Sequence, residues 1–153
     1  MSQIHREQFG IFHITTNTVI SNSWCTWNGV PQCLIDHLCR ARDLYHAELY
    51  AFCILPNHVH IILSPGPKGL SRFMQAFKSN SVKYLRKQHV AQAKEIGWQE
   101  NFYDERIRDE QQRSNALAYV QGNAMKHGLV QEILDWPWTS LHFPSKLDLL
   151  DIW

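Results

Sequence analysis

Two histidines separated by one residue stand inside an apolar run, ILPNHVHIIL, at residues 54–63. In a β-strand alternate side chains point to the same face, so His58 and His60 would lie side by side while Val59 and Ile61 face the other way. Neighbouring imidazoles can form one half of a metal site, but two half-buried histidines of a sheet give the same pattern. The pair predicts a site only if other residues complete it.

A second pair of chemically competent residues lies on a predicted helix. Tyr119 and Asn123 are four residues apart in AYVQGNAMKHGLV, which puts them on one helix face beside the apolar stripe. A side chain on a helix that faces the sheet can supply the third ligand that two histidines lack, and a tyrosine hydroxyl can act as a nucleophile. Metal ligands, an oxygen nucleophile and a basic helix together are typical of a phosphoryl-transfer centre.

Positive charge is concentrated in one part of the chain, although the net charge is only +1. No acidic residue occurs between Glu48 and Glu95, and a helix predicted from 70 to about 96 has an apolar face and a basic face. Such a face can neutralise DNA phosphates, but a solvated helix surface explains it equally well. The predicted DNA contacts are the basic residues Arg72, Lys78, Lys83, Arg86 and Lys87, with Trp98 as a stacking surface for unpaired bases.

The elements that must position these residues have the order β-α-β-β-α-β-α. Alternating or β-branched patterns predict strands in GIFHITTNTVI, AELYAFCIL, HVHIIL and WQENFYDERIRD. Helices are predicted in PQCLIDHLCRARDLY, from 70 to about 96, and in QQRSNALAYVQGNAMKH. This order predicts an α+β fold, a ferredoxin-like split β-α-β unit with an antiparallel sheet and an additional C-terminal helix that carries Tyr119. The third strand, which bears the histidines, would be central.

Length and composition predict one domain. The 153 residues are 44% hydrophobic and 19% charged, which fits a single domain over 1–153 with a core of about 8–130 and a tail, 131–153, packed on it. No apolar stretch approaches the roughly 18 residues of a membrane helix, and MSQIHREQFG lacks a signal-peptide pattern. The four cysteines show no CxxC pairing and are expected to be reduced, as in a cytoplasmic protein.

The chain resembles the REP-associated tyrosine transposases, a group within the HUH single-tyrosine nucleases, whose name denotes two histidines around a hydrophobic residue. The resemblance covers most of the chain and rests on four blocks in this order: LPNHVHIIL, GWQENFYDERIRDE, AYVQGNAMKHGLV and DWPWTSLH. In the family the tyrosine helix commonly carries Asn-Pro, whereas Ala124 follows Asn123 here. We expect this replacement of proline by Ala124 to change how the tyrosine helix ends.

The resemblance implies a Mg²⁺ or Mn²⁺ site formed by His58, His60 and Asn123. It also implies that Tyr119 attacks a DNA phosphodiester, leaving a 5′-phosphotyrosine and a free 3′-OH from which strands can be rejoined without ATP. A cation such as Lys126 would favour the ionised tyrosine. The implied substrate is single-stranded DNA with a palindromic hairpin. The residues leave open whether Tyr119 serves the histidines of its own chain or those of a partner in a homodimer.

Other activities fit parts of the pattern. One is a domesticated protein that binds DNA hairpins without cleaving them, and another is a metal-dependent phosphoesterase whose histidines activate water and which needs no tyrosine. A structural zinc site is the weakest, because the cysteines are not grouped with the histidines. Two further tyrosines compete as nucleophiles: Tyr84 is predicted to lie in the core, and Tyr103 lies on the fourth strand with no potential ligand beside it at helical spacing.

Overall fold

The strands and main helices follow the predicted order. The computed structural model describes residues 10–150. Residues 1–9 and 151–153 lie outside the described residues. Most of MSQIHREQFG, the segment that lacks a signal-peptide pattern, is therefore among the residues that are not described. None of the helices between residues 10 and 150 has the length and apolar character needed to cross a bilayer. The elements are β1 (Ile11–Asn17), α1 (Val30–Tyr45), β2 (Glu48–Leu55), β3 (His58–Ser64), α2 (Leu70–Gln88), β4 (Tyr103–Ile107), α3 (Glu110–Gln121) and α4 (Asn123–Lys126).

The four strands form one antiparallel sheet in the order β2-β3-β1-β4. Each helix that joins two strands therefore carries the chain past a strand of the other half, which is the arrangement of a ferredoxin-like split β-α-β unit. The histidine strand β3 is central, between β2 and β1. The predicted α+β class, the antiparallel sheet and the central position of β3 are confirmed.

One face of the sheet carries the main hydrophobic core. Ile14 of β1 and Val59 and Ile61 of β3 are fully buried on this face, because alternate side chains of a strand point the same way. The apolar stripes of α1 and α2 pack against them, with Leu38 and Phe77 among the buried helix residues. Since the odd-numbered residues of β3 belong to this core, His58 and His60 must point to the other face.

The opposite face is covered only in part. A second, smaller cluster joins Cys53 of β2 and Ile62 of β3 to Val120 of α3 and Ala124 of α4. α3 contacts β2, β3 and β4 on this side of the sheet. The rest of this face presents polar side chains of β1 and β3, so the sheet supplies both a hydrophobic platform and a polar site.

The basic helix is shorter than predicted, and the prediction that it runs to about residue 96 is wrong. α2 ends at Gln88 and a separate 3-10 segment, Val90–Glu95, follows it. The chain turns here because Ile96 enters the core and its carbonyl accepts a hydrogen bond from Arg86 Nε at 2.9 Å. The prediction for Tyr84 is also wrong, since its side chain is 47% exposed on the outer surface of α2.

Gly122 interrupts the predicted tyrosine helix. α3 ends at Gln121, and α4 is a separate turn, Asn123–Lys126, that follows Gly122 directly. A break at this position is inexpensive, because glycine has the weakest helix propensity after proline. Tyr119 and Asn123 therefore lie on two joined helical segments and not on one continuous helix.

The chain after α4 runs along β2, which is an edge of the sheet. The Ile54 N–H donates to the Trp138 carbonyl at 3.0 Å, and the Trp136 indole N–H donates to the Ile54 carbonyl at 2.8 Å. Further on, the Leu49 N–H donates to the Asp148 carboxylate at 2.8 Å. These bonds satisfy backbone groups that a free edge strand would expose to other chains.

All four cysteines are free thiols, in agreement with the prediction. Cys25 and Cys53 are fully buried, and burial raises the pKa of the Cys53 thiol to about 12. These two side chains act as small hydrophobic core residues.

Trp98 is a core residue, and its environment does not support the prediction of an exposed stacking surface. Its side chain is 9% exposed, and its ring meets the Trp24 ring edge to face with 4.7 Å between the centroids. The Trp98 indole N–H donates to Ser81 Oγ at 3.3 Å. The residue therefore fixes the segment between α2 and β4 to the core.

We expect Trp98→Ala to lower the free energy of unfolding by about 3–5 kcal/mol, because it removes a buried aromatic ring. Trp98→Phe should cost only about 1–2 kcal/mol, since it loses the bond to Ser81 and keeps most of the ring. Denaturant titration measures both effects. An alanine variant of unchanged stability that binds DNA more weakly would contradict the core role.

Candidate active site

The central strand β3 presents its two histidines to the partly open face of the sheet. The tight turn at residues 56 and 57 joins β2 to β3, so His58 begins the strand next to the sheet end. In the register of β1 against β3, Asn17 lies opposite His58 and Thr15 lies opposite His60. A polar row on β1 thus runs beside the histidines on the same face.

Hydrogen bonds hold both imidazoles through their Nδ1 atoms. His58 Nδ1 lies 2.8 Å from Asn57 Oδ1, and because that oxygen only accepts, Nδ1 carries the proton and donates. His60 Nδ1 lies 3.0 Å from His13 Nε2 and 3.1 Å from Thr15 Oγ1. Such bonds to one ring nitrogen orient a histidine and leave Nε2 as the atom that can bind a metal ion.

Burial keeps these histidines neutral. Desolvation, together with the neighbouring His13, His58 and His127 and the Lys126 cation, lowers the pKa of His60 to about 3. Burial and the neighbouring His127 also lower the pKa of His58, while the Asn123 side chain raises it. Because a neutral imidazole is the form that ligates a metal ion, both residues are in the binding-competent state at neutral pH.

Asn123 is a buried polar residue whose amide has no partner of ordinary hydrogen-bond geometry among the described residues. Its side chain is 0% exposed, and neither Oδ1 nor Nδ2 is satisfied, although it lies near enough to His58 to affect its pKa. A buried unsatisfied polar group costs about 1–3 kcal/mol. The unsatisfied amide of Asn123, beside two histidines, is suited to bind a divalent cation through its oxygen.

Tyr119 reaches the same place from α3. Its ring lies edge to face against the His60 ring, with 5.4 Å between the centroids, and 5.7 Å from the His13 ring. Lys126 Nζ donates to the Tyr119 hydroxyl at 3.3 Å and lies 4.3 Å from the centre of its ring. The tyrosine is 39% exposed, and a cation stands beside its hydroxyl.

The histidines and the tyrosine line one cavity of about 620 Å³. Tyr103 of β4, which pairs with Thr15, lines it as well and is 68% exposed. The sequence prediction set Tyr103 aside for want of a ligand at helical spacing, but the sheet brings it to the site across β1. Asn123 lies buried behind this cavity and not on its lining.

The sequence analysis missed two histidines of the site. His13 lies on β1 and bonds to His60, and the His127 ring lies 5.2 Å from that of His58. His13 could have been found from the sequence, because it is one of the alternating residues of β1 and a ferredoxin-like topology pairs β1 with β3. His127 follows Asn123 by four residues, so the helical spacing used for Tyr119 would have found it.

No group of three or more His, Cys, Asp or Glu side chains within the described part of the chain is arranged to hold a metal ion. The four histidines of the site form a chain of pairwise contacts instead of converging on one point. The described residues thus offer a histidine pair with the Asn123 amide as the third donor, and the cysteines take no part.

Four of the six predicted DNA-binding residues line a second groove, of about 830 Å³, between α2 and the segment that leads to β4. Lys83 lines it with an exposed side chain, whereas Lys78 donates to the carbonyls of Gln99 and Glu100 at 2.7 and 2.9 Å. Burial lowers the pKa of Lys78, and the Glu100 carboxylate partly opposes this.

Of the remaining predicted DNA contacts, Arg86 and Trp98 line the groove, while Arg72 and Lys87 are exposed outside its lining.

The two cavities adjoin. Gln99 lines both the basic groove and the cavity of the histidines. The arrangement therefore joins a basic surface to a site with two neutral histidines, a buried amide and a tyrosine beside a lysine.

The fold and this site together define an α+β domain with a histidine pair and a tyrosine on one sheet face. The chain belongs to the family described as Transposase IS200 like, whose sequence model matches residues 11–123.

Curated relatives and a solved structure agree with this membership. The chain is similar to a protein of Haemophilus influenzae assigned to the REP-associated tyrosine transposases, with 29% identity over 69% of this chain and 65% of that protein. It is 31% identical to the REP-associated tyrosine transposase of Escherichia coli over 62% of this chain and 54% of that one. The match thus spans less than two thirds of either relative.

The solved structure is that of a REP-associated tyrosine transposase bound to a REP hairpin. It superposes with a TM-score of 0.76 and 25% identity, and the match covers 94% of this chain and 84% of that chain. The similarity extends beyond the family match into the tail that follows α4.

We expect Asn123→Leu to raise the free energy of unfolding by about 1–3 kcal/mol in EDTA, because it removes an unsatisfied buried amide at little change in volume. We expect Mn²⁺ to stabilise the parent protein, and the same variant should lose this stabilisation. Thermal unfolding with and without Mn²⁺ measures both effects. Asn123→Asp, which keeps an oxygen donor, is the matched control and should retain the response. An Asn123→Leu variant with an unchanged Mn²⁺ response would rule out the amide as a ligand.

Proposed function

We propose that this chain is a transposase that cleaves and rejoins DNA strands through a covalent bond to Tyr119. The observation that carries the proposal is the meeting of Tyr119, His60 and Lys126: a tyrosine hydroxyl lies beside a cation, and its ring touches a neutral, oriented histidine. Family membership supports the same reaction class. The substrate is single-stranded DNA that carries a palindromic hairpin.

His58 and His60, through their free Nε2 atoms, and Asn123, through its amide oxygen, would hold Mg²⁺ or Mn²⁺. When bound there, the ion supplies a positive charge that stabilises the phosphate oxygens and the departing 3′ oxygen. The protein residues prepare this site by keeping both imidazoles neutral and by holding them through Nδ1.

Tyr119 performs the bond exchange. Its oxygen forms a bond to phosphorus while the bond from phosphorus to the 3′ oxygen breaks; the tyrosine proton goes to solvent, and the 3′ oxygen takes one up. Lys126 donates to the attacking hydroxyl oxygen and so holds it in place. One phosphodiester is replaced by another, so a second 3′-OH can reverse the step and join strands without an energy source.

The candidate site is complete within one chain. Tyr119 and the histidine pair of the same chain line one cavity, which supports a reaction in cis. The adjoining basic groove gives the stem phosphates a surface to bind, with Lys83 and Arg86 as exposed cations on its lining. A protein that acts on DNA in this way would work in the cytoplasm of a bacterial cell.

We expect Tyr119→Phe to abolish the covalent adduct with DNA while leaving binding almost unchanged, because only the attacking oxygen is lost. Incubation with labelled hairpin DNA and Mn²⁺, resolved on a denaturing gel, reveals the adduct. Tyr103→Phe is the matched control, since Tyr103 lines the same cavity and also carries an exposed hydroxyl. It should form the adduct at the parent rate.

The same gel distinguishes the proposed reaction from the alternative activities. A Tyr119→Phe protein that still cleaves DNA would favour the phosphoesterase, in which the histidines activate water. A parent protein that binds the hairpin and never cleaves it would favour the domesticated binding protein. An adduct that persists in Tyr119→Phe and disappears in Tyr103→Phe would show that the nucleophile is Tyr103 of β4.

The basic groove gives a separate prediction. Lys83→Ala should weaken hairpin binding and lower the slope of log affinity against log salt by about 1, because one phosphate contact is lost. Lys94→Ala is the control, since Lys94 is equally exposed but lies outside the groove lining. Fluorescence anisotropy over a range of NaCl concentrations measures both slopes. Equal slopes for the two variants would show that Lys83 contacts no phosphate.

A further inference from the structure

A strained turn follows β1. Ile20 and Ser21 have φ angles of 53° and 56°, in the left-handed region that L-residues with side chains rarely adopt. A β-branched residue is among the least tolerant of this conformation. Ile20 is nevertheless 89% exposed, so packing against the described residues does little to offset the strain.

Hydrogen bonds on both sides hold the turn in this conformation. The Thr18 N–H donates to the Asn57 carbonyl at 3.0 Å, and the Val19 N–H donates to the Gly97 carbonyl at 2.9 Å. After the turn, the Asn22 N–H donates to the Val19 carbonyl at 3.0 Å, and its side-chain amide donates to the Glu95 carbonyl at 3.1 Å. The backbone of residues 19–22 is therefore fixed against the segment before β4, and Ile20 is presented to solvent by a rigid support.

The turn lies between the two cavities. Val19 lines the basic groove, and Ser21 lines the cavity of the histidines and Tyr119. Ile20 joins these two residues in the chain, lines neither cavity and is exposed, so its side chain forms a ridge beside the point where the groove and the cavity adjoin. A DNA strand that ran from the basic groove to Tyr119 would pass close to this ridge.

The surroundings of Ile20 argue against a protein partner. The residues that follow it, SNS at 21–23, are polar, so they do not extend its apolar surface along the chain. The face of a nucleobase is a flat apolar surface that one such side chain can cover, and isoleucine is among the residues that enter between base steps. The adjoining cations attract the phosphates that accompany such a base.

We propose that Ile20 is a wedge that packs against the base at the junction of hairpin stem and unpaired flank, and so directs the flank into the cavity of Tyr119. This inference rests on the proposed function, because it requires hairpin DNA as the substrate. Ile20 is a positioning residue: it unstacks the junction base and makes no contact with the scissile phosphate. The strained backbone serves to present the side chain at the ridge.

The test uses a hairpin with 2-aminopurine at the first unpaired position of the flank, because the fluorescence of this base rises when it is unstacked. Binding of the parent protein should raise the signal, whereas Ile20→Asn, which tolerates the left-handed turn, should abolish most of the rise. Ile20→Leu keeps an apolar side chain and should retain it. Leu44→Asn is a control, since Leu44 is 67% exposed on α1 and lines neither cavity.

Affinity and adduct formation complete the test. Ile20→Asn should bind the flanked hairpin about tenfold more weakly, in line with the loss of one base-stacking contact, and should bind the bare stem like the parent protein. Its adduct should form more slowly, while its thermal midpoint equals or exceeds that of the parent because the strain is relieved. Ile20→Asn with the parent's fluorescence rise and affinity would overturn the wedge. A parent protein that forms no adduct would overturn the proposed function instead, whatever the result for Ile20.

Discussion

The antiparallel register of β1 against β3 is the constraint on which the candidate site depends. It sets Thr15 opposite His60 and brings His13 to within 3.0 Å of the same imidazole. Because side chains alternate along a strand, a slip of one residue would turn His60 into the core and Ile61 out of it. The buried apolar residues on the opposite face therefore enforce the register, and the hydrophobic core holds the polar site in place without touching it.

The polar site exists at the expense of stability. The Asn123 amide is buried without a partner of ordinary geometry, and His60 is buried deeply enough to stay neutral far below pH 7. At the edge of the site, Ile20 occupies a left-handed backbone conformation that glycine or asparagine would adopt more easily. The unpaired amide and the strained backbone lower the stability of the isolated domain, and the low pKa of His60 lowers it only as the pH falls below the usual histidine pKa of 6.5. Each feature lies within or beside the cavity that the proposed reaction uses. Costs of this kind cluster at functional sites.

Helix geometry determines how the tyrosine meets the histidines. α3 packs on the sheet through Val120 and the neighbouring apolar residues, which aims Tyr119 at His60. The break at Gly122 lets the chain turn so that Asn123 is buried while Lys126 reaches back to the tyrosine hydroxyl. A short segment with one glycine thus supplies the proposed nucleophile, the cation beside it and the buried amide.

By itself the sequence determined the order of elements, the α+β class and the face shared by His58 and His60, because periodicity and turn residues act over a few neighbouring positions. Tertiary structure decided the rest. It ended α2 at Gln88, since the burial of Ile96 and Trp98 draws the chain back into the core. It brought His13, His127 and Tyr103 to the site, and it engaged Lys78 and Arg86 with backbone carbonyls. These outcomes depend on strand register and on contacts between residues distant in the chain, which local patterns do not encode.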